Sequence, residues 1–116
     1  MKTILVAEDN DGNYILMTYI LKKDYQIVRA KNGEEAVNRV KEGGIDMVLM
    51  DIKMPVMDGL TATKEIRKDY PDLPIIALTA NAYESDREAA FEAGCSDFIA
   101  KPVNCAATLE TIKKFI

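Results

Sequence analysis

Apolar residues along this 116-residue chain fall into two alternating kinds of run. Five are short and nearly continuous: TILVA at 3–7, QIVRA at 26–30, DMVLM at 46–50, PIIAL at 74–78 and DFIA at 97–100. Each has the length and β-branched content of a strand. Between them the apolar positions recur at helical spacing: Ile15, Leu16, Tyr19 and Ile20; Ala36, Val37 and Val40; Leu60, Thr63 and Ile66; Leu109, Ile112 and Phe115. Residues 83–93 form a weaker, more charged helical stretch. Gly33, Gly43-Gly44, Asp58-Gly59, Pro71 and Gly94 punctuate the runs where helices should start or stop.

The order is therefore β α repeated five times. Strands that are apolar throughout, rather than at every second position, belong to a parallel sheet covered on both faces. The expectation is an α/β domain with five strands in the order 2-1-3-4-5 and five helices on two faces, the flavodoxin-like arrangement. One such domain accounts for residues 1–116. No internal repeat, linker or low-complexity tract interrupts it.

Composition narrows the class. A hydrophobic fraction of 48% and a charged fraction of 29% suit an ordinary folded domain. A net charge of −4 and a pI of about 4.8 argue against direct nucleic-acid or anionic-membrane contact, which need a basic patch. Cys95 and Cys105 lack the spacing of a metal or redox pair and read as reduced thiols. The first residues, MKTILVAEDN, meet Glu8 and Asp9 too soon for a signal peptide, and no run approaches a membrane span. The expected location is cytoplasmic, either as a separate protein or as the cytoplasmic part of a membrane-bound one.

In such folds ligands sit beyond the carboxyl ends of the strands. Strand one ends at Glu8-Asp9, strand three at Asp51, strand four at Thr79 and strand five at Lys101-Pro102. Three carboxylates brought together repel one another unless a cation lies among them, and a hard ion such as Mg²⁺ suits oxygen donors. Glu8, Asp9 and Asp51 are its candidate ligands. With a metal, the Lys101 ammonium and the Thr79 hydroxyl around it, the site suits phosphoryl transfer, and Asp51 can itself be the nucleophile. Taken singly, each residue has a plainer explanation: Glu8 and Asp9 as caps of the first helix, Asp51 as a turn residue, Thr79 as a β-former, Lys101 as a surface charge. Their coincidence at one end of the sheet carries the reading. Met47, Met50, Met54 and Met57 are read as core packing.

ILVAEDN with the acidic pair, DMVLMDIKMPVMDG with Asp51, ALTA with Thr79, and DFIAKP with Phe98 and Lys101 together resemble the response regulator receiver domains of two-component signalling. The resemblance runs the length of the chain. It implies a phosphoacceptor, not a turnover enzyme, that promotes its own phosphorylation and dephosphorylation. Asp51 would take a phosphoryl group from a phosphohistidine on a histidine kinase or phosphotransfer domain. Mg²⁺ would be held by Asp9, Asp51, the backbone carbonyl of Lys53, and Glu8 through water. Lys101 would pair with the phosphoryl oxygens and the Lys101–Pro102 bond would be cis. Thr79 and Phe98 would switch the surface formed by helix four, strand five and helix five, through which receivers also form homodimers. The VAEDNDGN and MDIKMPVMDGLTATKEIR segments look most like receivers of hybrid sensor histidine kinases, although Glu8 departs from the commoner Asp-Asp pair. Lys53 and Asn81 occupy positions where receivers vary. The chain has no histidine, so a donor must come from elsewhere.

Other functions are weighed against this one. A haloacid dehalogenase-like phosphohydrolase needs a second Asp two residues after the nucleophile, where this chain has Lys53. A flavin phosphate would be repelled by AEDND after strand one. A degenerate receiver used only for docking would lack site residues that are all present here.

Overall fold

The computed structural model describes residues 1–80, 84–101 and 103–116; the expectations for Asn81, Tyr83 and the Lys101–Pro102 bond lie outside them. Strands and helices alternate as β1 (Thr3–Ala7), α1 (Asp11–Leu21), β2 (Gln26–Ala30), α2 (Gly33–Lys41), β3 (Met47–Asp51), α3 (Gly59–Asp69), β4 (Ile75–Thr79), α4 (Glu84–Ala93), β5 (Asp97–Ala100) and α5 (Cys105–Lys113). All strand pairs are parallel, in the order β2-β1-β3-β4-β5, as the alternation of runs predicts. β3 and β4 each begin and end one residue later than the apolar runs suggest, so Asp51 and Thr79 are the last residues of their strands.

Strand alternation divides the core between the two faces. Leu5, Ala7, Val48, Met50, Ile75 and Ala77 pack with Ala36, Val37 and Val40 of α2 and Ala62 and Ile66 of α3. Ile4, Val6, Met47, Leu49, Ile76 and Leu78 pack with Met17, Ile20 and Leu21 of α1 and Ile112 of α5. Every residue of β3 and β4 is buried, whereas the edge strands β2 and β5 are mostly half-buried. Edge position explains why QIVRA admits Gln26 and Arg29.

Two helix faces differ from the expected stripes. On α1, Ile15 is 54% and Tyr19 67% exposed and Leu16 is also exposed; Ile20 alone of the expected stripe is buried, and it is joined by Met17 and Leu21. The helix is apolar around most of its circumference, so periodicity cannot select the inward face. At the C-terminus, α5 ends at Lys113 and Phe115 lies beyond it, exposed.

Four helices begin on an Asn or Asp whose side chain accepts an N–H three residues on: Asn10 from Asn13, Asn32 from Glu35, Asp58 from Thr61 and Asn104 from Ala107. Capping of α1 thus falls to Asn10, and the reading of Glu8 and Asp9 as its caps is set aside. Two glycines allow backbones to close behind Asp51. The Gly59 N–H donates to the Ile52 carbonyl at 2.9 Å, and a Cβ there would overlap the Asp51 carbonyl oxygen. The Gly33 N–H donates to the Met57 carbonyl, also at 2.9 Å, tying α2 to the β3–α3 loop.

Candidate functional site

The period of two that sorts the core also aims the site residues. Glu8 continues the series Ile4 and Val6, Asp51 continues Met47 and Leu49, and Lys101 follows Ile99, all on the α1–α5 side of the sheet. Thr79 continues Ile75 and Ala77 on the opposite side.

The contacts follow from that placement. Lys101 Nζ lies 2.9 Å from Glu8 Oε2 and 3.1 Å from Asp51 Oδ2. Glu8 is 2% exposed, and Asp51 is buried as well. The remaining carboxylate oxygens are also engaged: Asn10 N–H donates to Glu8 Oε1 and Lys53 N–H to Asp51 Oδ1, each at 3.2 Å. Asp9 is exposed at the rim, and one oxygen each from Glu8, Asp9 and Asp51 lie within 4.8 Å of one another.

Thr79 is buried, and its carbonyl accepts the Lys101 N–H at 2.7 Å. Asp51, Lys53, Thr79 and Lys101 line a cavity of about 130 Å³ with Asp86 of α4. A water needs roughly 10–15 Å³ by such a measure, so the space admits a group of several atoms. Phe98 stands apart from these contacts. Its ring meets Phe91 edge-on at 6.4 Å, and the Arg87 guanidinium carbon lies 4.9 Å above it.

Burial pushes the Asp51 carboxyl up to about 6, Glu8 beside it pushes the same way, and Lys101 opposes both. Burial pulls the Lys101 ammonium down, but its hydrogen bonds to Glu8 and Asp51 outweigh that and leave it raised. The site therefore holds the Lys101 ammonium firmly and the Asp51 carboxylate at a cost. Three carboxylate oxygens within 4.8 Å of one another, the Asp9 oxygen on the exposed side, match the donors that Mg²⁺ takes when it keeps several waters, so the residues present fit that ion.

Glu8, Asp9, Asp51, Thr79 and Lys101 are thus brought together, and Lys53 joins them through its N–H. The sequence reading missed two participants. Asn10 was recognisable as an Asx residue preceding a helix; Asp86 carries no local pattern that separates it from a solvated charge.

Residues 4–113 match the model of the response regulator receiver domain. The chain belongs to this family. Its members are signalling phosphoacceptors rather than enzymes acting on a separate substrate. Among relatives, the polar-differentiation response regulator DivK of Brucella anthropi is 35% identical, covering 99% of this chain and 96% of that protein. The hybrid signal transduction histidine kinase M of Dictyostelium discoideum is 41% identical over 97% of this chain, which spans 5% of that protein's length. The receiver domain of a sensor histidine kinase from Pseudomonas aeruginosa, solved with magnesium coordinated in its active-site cleft, superposes with a TM-score of 0.92 at 37% identity, covering 98% of this chain and 96% of that one. A Saccharomyces cerevisiae receiver domain, co-crystallised with a histidine phosphotransfer signalling protein, gives 0.92 at 35% identity, covering 98% and 88%. Among the described residues, no helix is long and apolar enough to cross a membrane.

Proposed function

We propose that residues 1–116 form a receiver whose Asp51 accepts a phosphoryl group from a phosphohistidine of a histidine kinase or phosphotransfer protein. The observation that carries this is the contact of Lys101 with both Glu8 and Asp51 at the mouth of the Thr79-lined cavity. In the transfer, an Asp51 oxygen forms the new bond to phosphorus as the donor's N–P bond breaks and the imidazole nitrogen leaves with the electron pair. Lys101 exchanges its bond to Asp51 for one to a phosphoryl oxygen and keeps its bond to Glu8. The Thr79 hydroxyl donates to a second phosphoryl oxygen, and the Lys53 N–H keeps Asp51 Oδ1 oriented. Asp9, Asp51, the Lys53 carbonyl and, through water, Glu8 would hold Mg²⁺, which supplies positive charge to the phosphoryl oxygens when bound.

The exposed Ile15, Leu16 and Tyr19 of α1 offer the donor a place to dock, since Leu16 lines a small cavity with Glu8 and Lys101. For output, Thr79 and an inward turn of Phe98 would alter the α4–β5–α5 face, where Phe98 now meets Phe91 edge-on. A homodimer through α4 and α5 is one form such an output can take. The relative in the Dictyostelium kinase and the Pseudomonas receiver support a place within a hybrid kinase, and the Brucella regulator supports a separate protein.

The test is transfer from a radiolabelled phosphohistidine protein. Label should move to the wild-type chain and not to Asp51→Asn. Steady turnover of a phosphate ester such as p-nitrophenyl phosphate would instead favour the phosphohydrolase.

A further inference from the structure

Arg29 of β2 has no part in the site as drawn, yet its side chain is spent on the segment that carries the acidic pair. The side chain is 19% exposed. Nε and Nη2 both donate to the backbone carbonyl of Glu8, at 3.2 and 3.1 Å. Nη2 also lies 2.8 Å from Asp11 Oδ1, and the guanidinium carbon sits 4.5 Å over the Tyr14 ring. The Glu8 N–H meanwhile donates to the Ala30 carbonyl at 3.0 Å. Both backbone polar groups of Glu8 are therefore held from β2. The carbonyl that Arg29 holds belongs to the peptide that leads into Asp9.

We propose that Arg29 is a positioning residue for the divalent-cation site, its two-pronged grip on the Glu8 carbonyl setting the Glu8–Asp9 peptide and so the Asp9 carboxylate against Asp51. This rests on the reading of Glu8, Asp9 and Asp51 as an Mg²⁺ site. A cationic side chain beside a cation site has two opposed effects. Its charge repels the metal, whereas its grip orders a ligand. Asp11, paired with it at 2.8 Å, offsets the charge and leaves the grip. The planar fork matters here, because a lysine ammonium cannot present two parallel donors to one carbonyl from the same stem.

The two effects have opposite signs, which makes the test sharp. MgCl₂ is titrated calorimetrically into the metal-free protein, with folding checked by circular dichroism. Arg29→Met keeps the stem over Tyr14 but loses the donors. It should raise the Kd about tenfold, the lower end of what loss of an outer-shell partner costs a metal site. Arg29→Lys, which keeps one donor group in place of the fork, should fall between it and wild type, and serves alone if the methionine variant does not fold. Arg67→Met is the control for general loosening, since Arg67 also holds backbone, donating to the Gly94 and Tyr70 carbonyls away from Glu8, Asp9 and Asp51; its Kd should match wild type. An unchanged or lower Kd in Arg29→Met, or an equal rise in Arg67→Met, overturns the proposal. Absence of Mg²⁺ binding by the wild-type chain overturns the metal reading instead.

Discussion

Lys101 Nζ lies 2.9 Å from Glu8 Oε2 although the two residues are 93 positions apart in the chain. Glu8 is the longer residue where receivers more often have Asp, and in this geometry its extra methylene reaches the lysine. Glu8 thus gives Lys101 a second anchor beside its contact with Asp51.

Removing that ammonium tests the electrostatics. Lys101→Met leaves Glu8 and Asp51 facing each other in buried positions without their cation. Urea unfolding at pH 7.5 without Mg²⁺ should show a loss of up to roughly 3–5 kcal/mol, the range for breaking a buried pair. Saturating Mg²⁺ should recover much of it. A loss that Mg²⁺ leaves untouched would mean the three acids do not share a cation.

The raised Asp51 carboxyl fixes a pH dependence. Its folded value of about 6 exceeds the ordinary 3.8, so the native state binds more protons than the unfolded chain between those values. Stability of the metal-free protein should then fall as pH rises from about 4 through 6, the sign opposite to a salt-bridged carboxylate whose value is depressed. Melting temperature against pH, for wild type and Asp51→Asn, isolates the contribution: the downward slope should be weaker in the variant. Equal slopes would show that Asp51 titrates normally.

Gly59 should tolerate no side chain. Alanine would favour the helix locally, but its Cβ would overlap the Asp51 carbonyl oxygen, which is backbone and cannot step aside. Gly59→Ala should cost at least the roughly 1–3 kcal/mol of overpacking, and, if Asp51 is the phosphoacceptor proposed above, it should slow phosphorylation because the displaced atom belongs to Asp51. Chemical denaturation and a phosphorylation time course would check both effects.

Val56 presents the reverse case. It is 78% exposed with φ at +67°, a conformation β-branched residues avoid, and the Met57 N–H donates to the Pro55 carbonyl at 2.7 Å across it. Relief of about 1–3 kcal/mol of strain should exceed the ~1 kcal/mol entropy penalty of glycine, so Val56→Gly should stabilise by about 1 kcal/mol. A lower denaturation midpoint in the variant would show that the turn is unstrained.

The fold was legible because buried parallel strands leave an unmistakable trace: β3 and β4 have no exposed position, and every one of their apolar residues was visible as a run. The site was legible for a related reason. Charged or hydroxyl residues that interrupt such runs at the same end of successive strands must converge once the order 2-1-3-4-5 is set. What escaped notice depends on side chains crossing between elements. The inward face of α1 could not be chosen because Ile15, Leu16, Met17, Tyr19, Ile20 and Leu21 surround the axis. Nothing local distinguishes Arg29 on the Glu8 carbonyl, or Asp86 in the cavity wall, from charges that only meet water.

The proposed function stands on Asp51 accepting a phosphoryl group with the help of a divalent ion. The most direct measurement is the intact mass of the chain after incubation with acetyl phosphate, with and without Mg²⁺, beside Asp51→Asn. One added phosphoryl group that requires Mg²⁺ and is absent from the variant is the predicted result. A folded protein that binds Mg²⁺ and gains no mass, or an adduct that persists in Asp51→Asn, would contradict it.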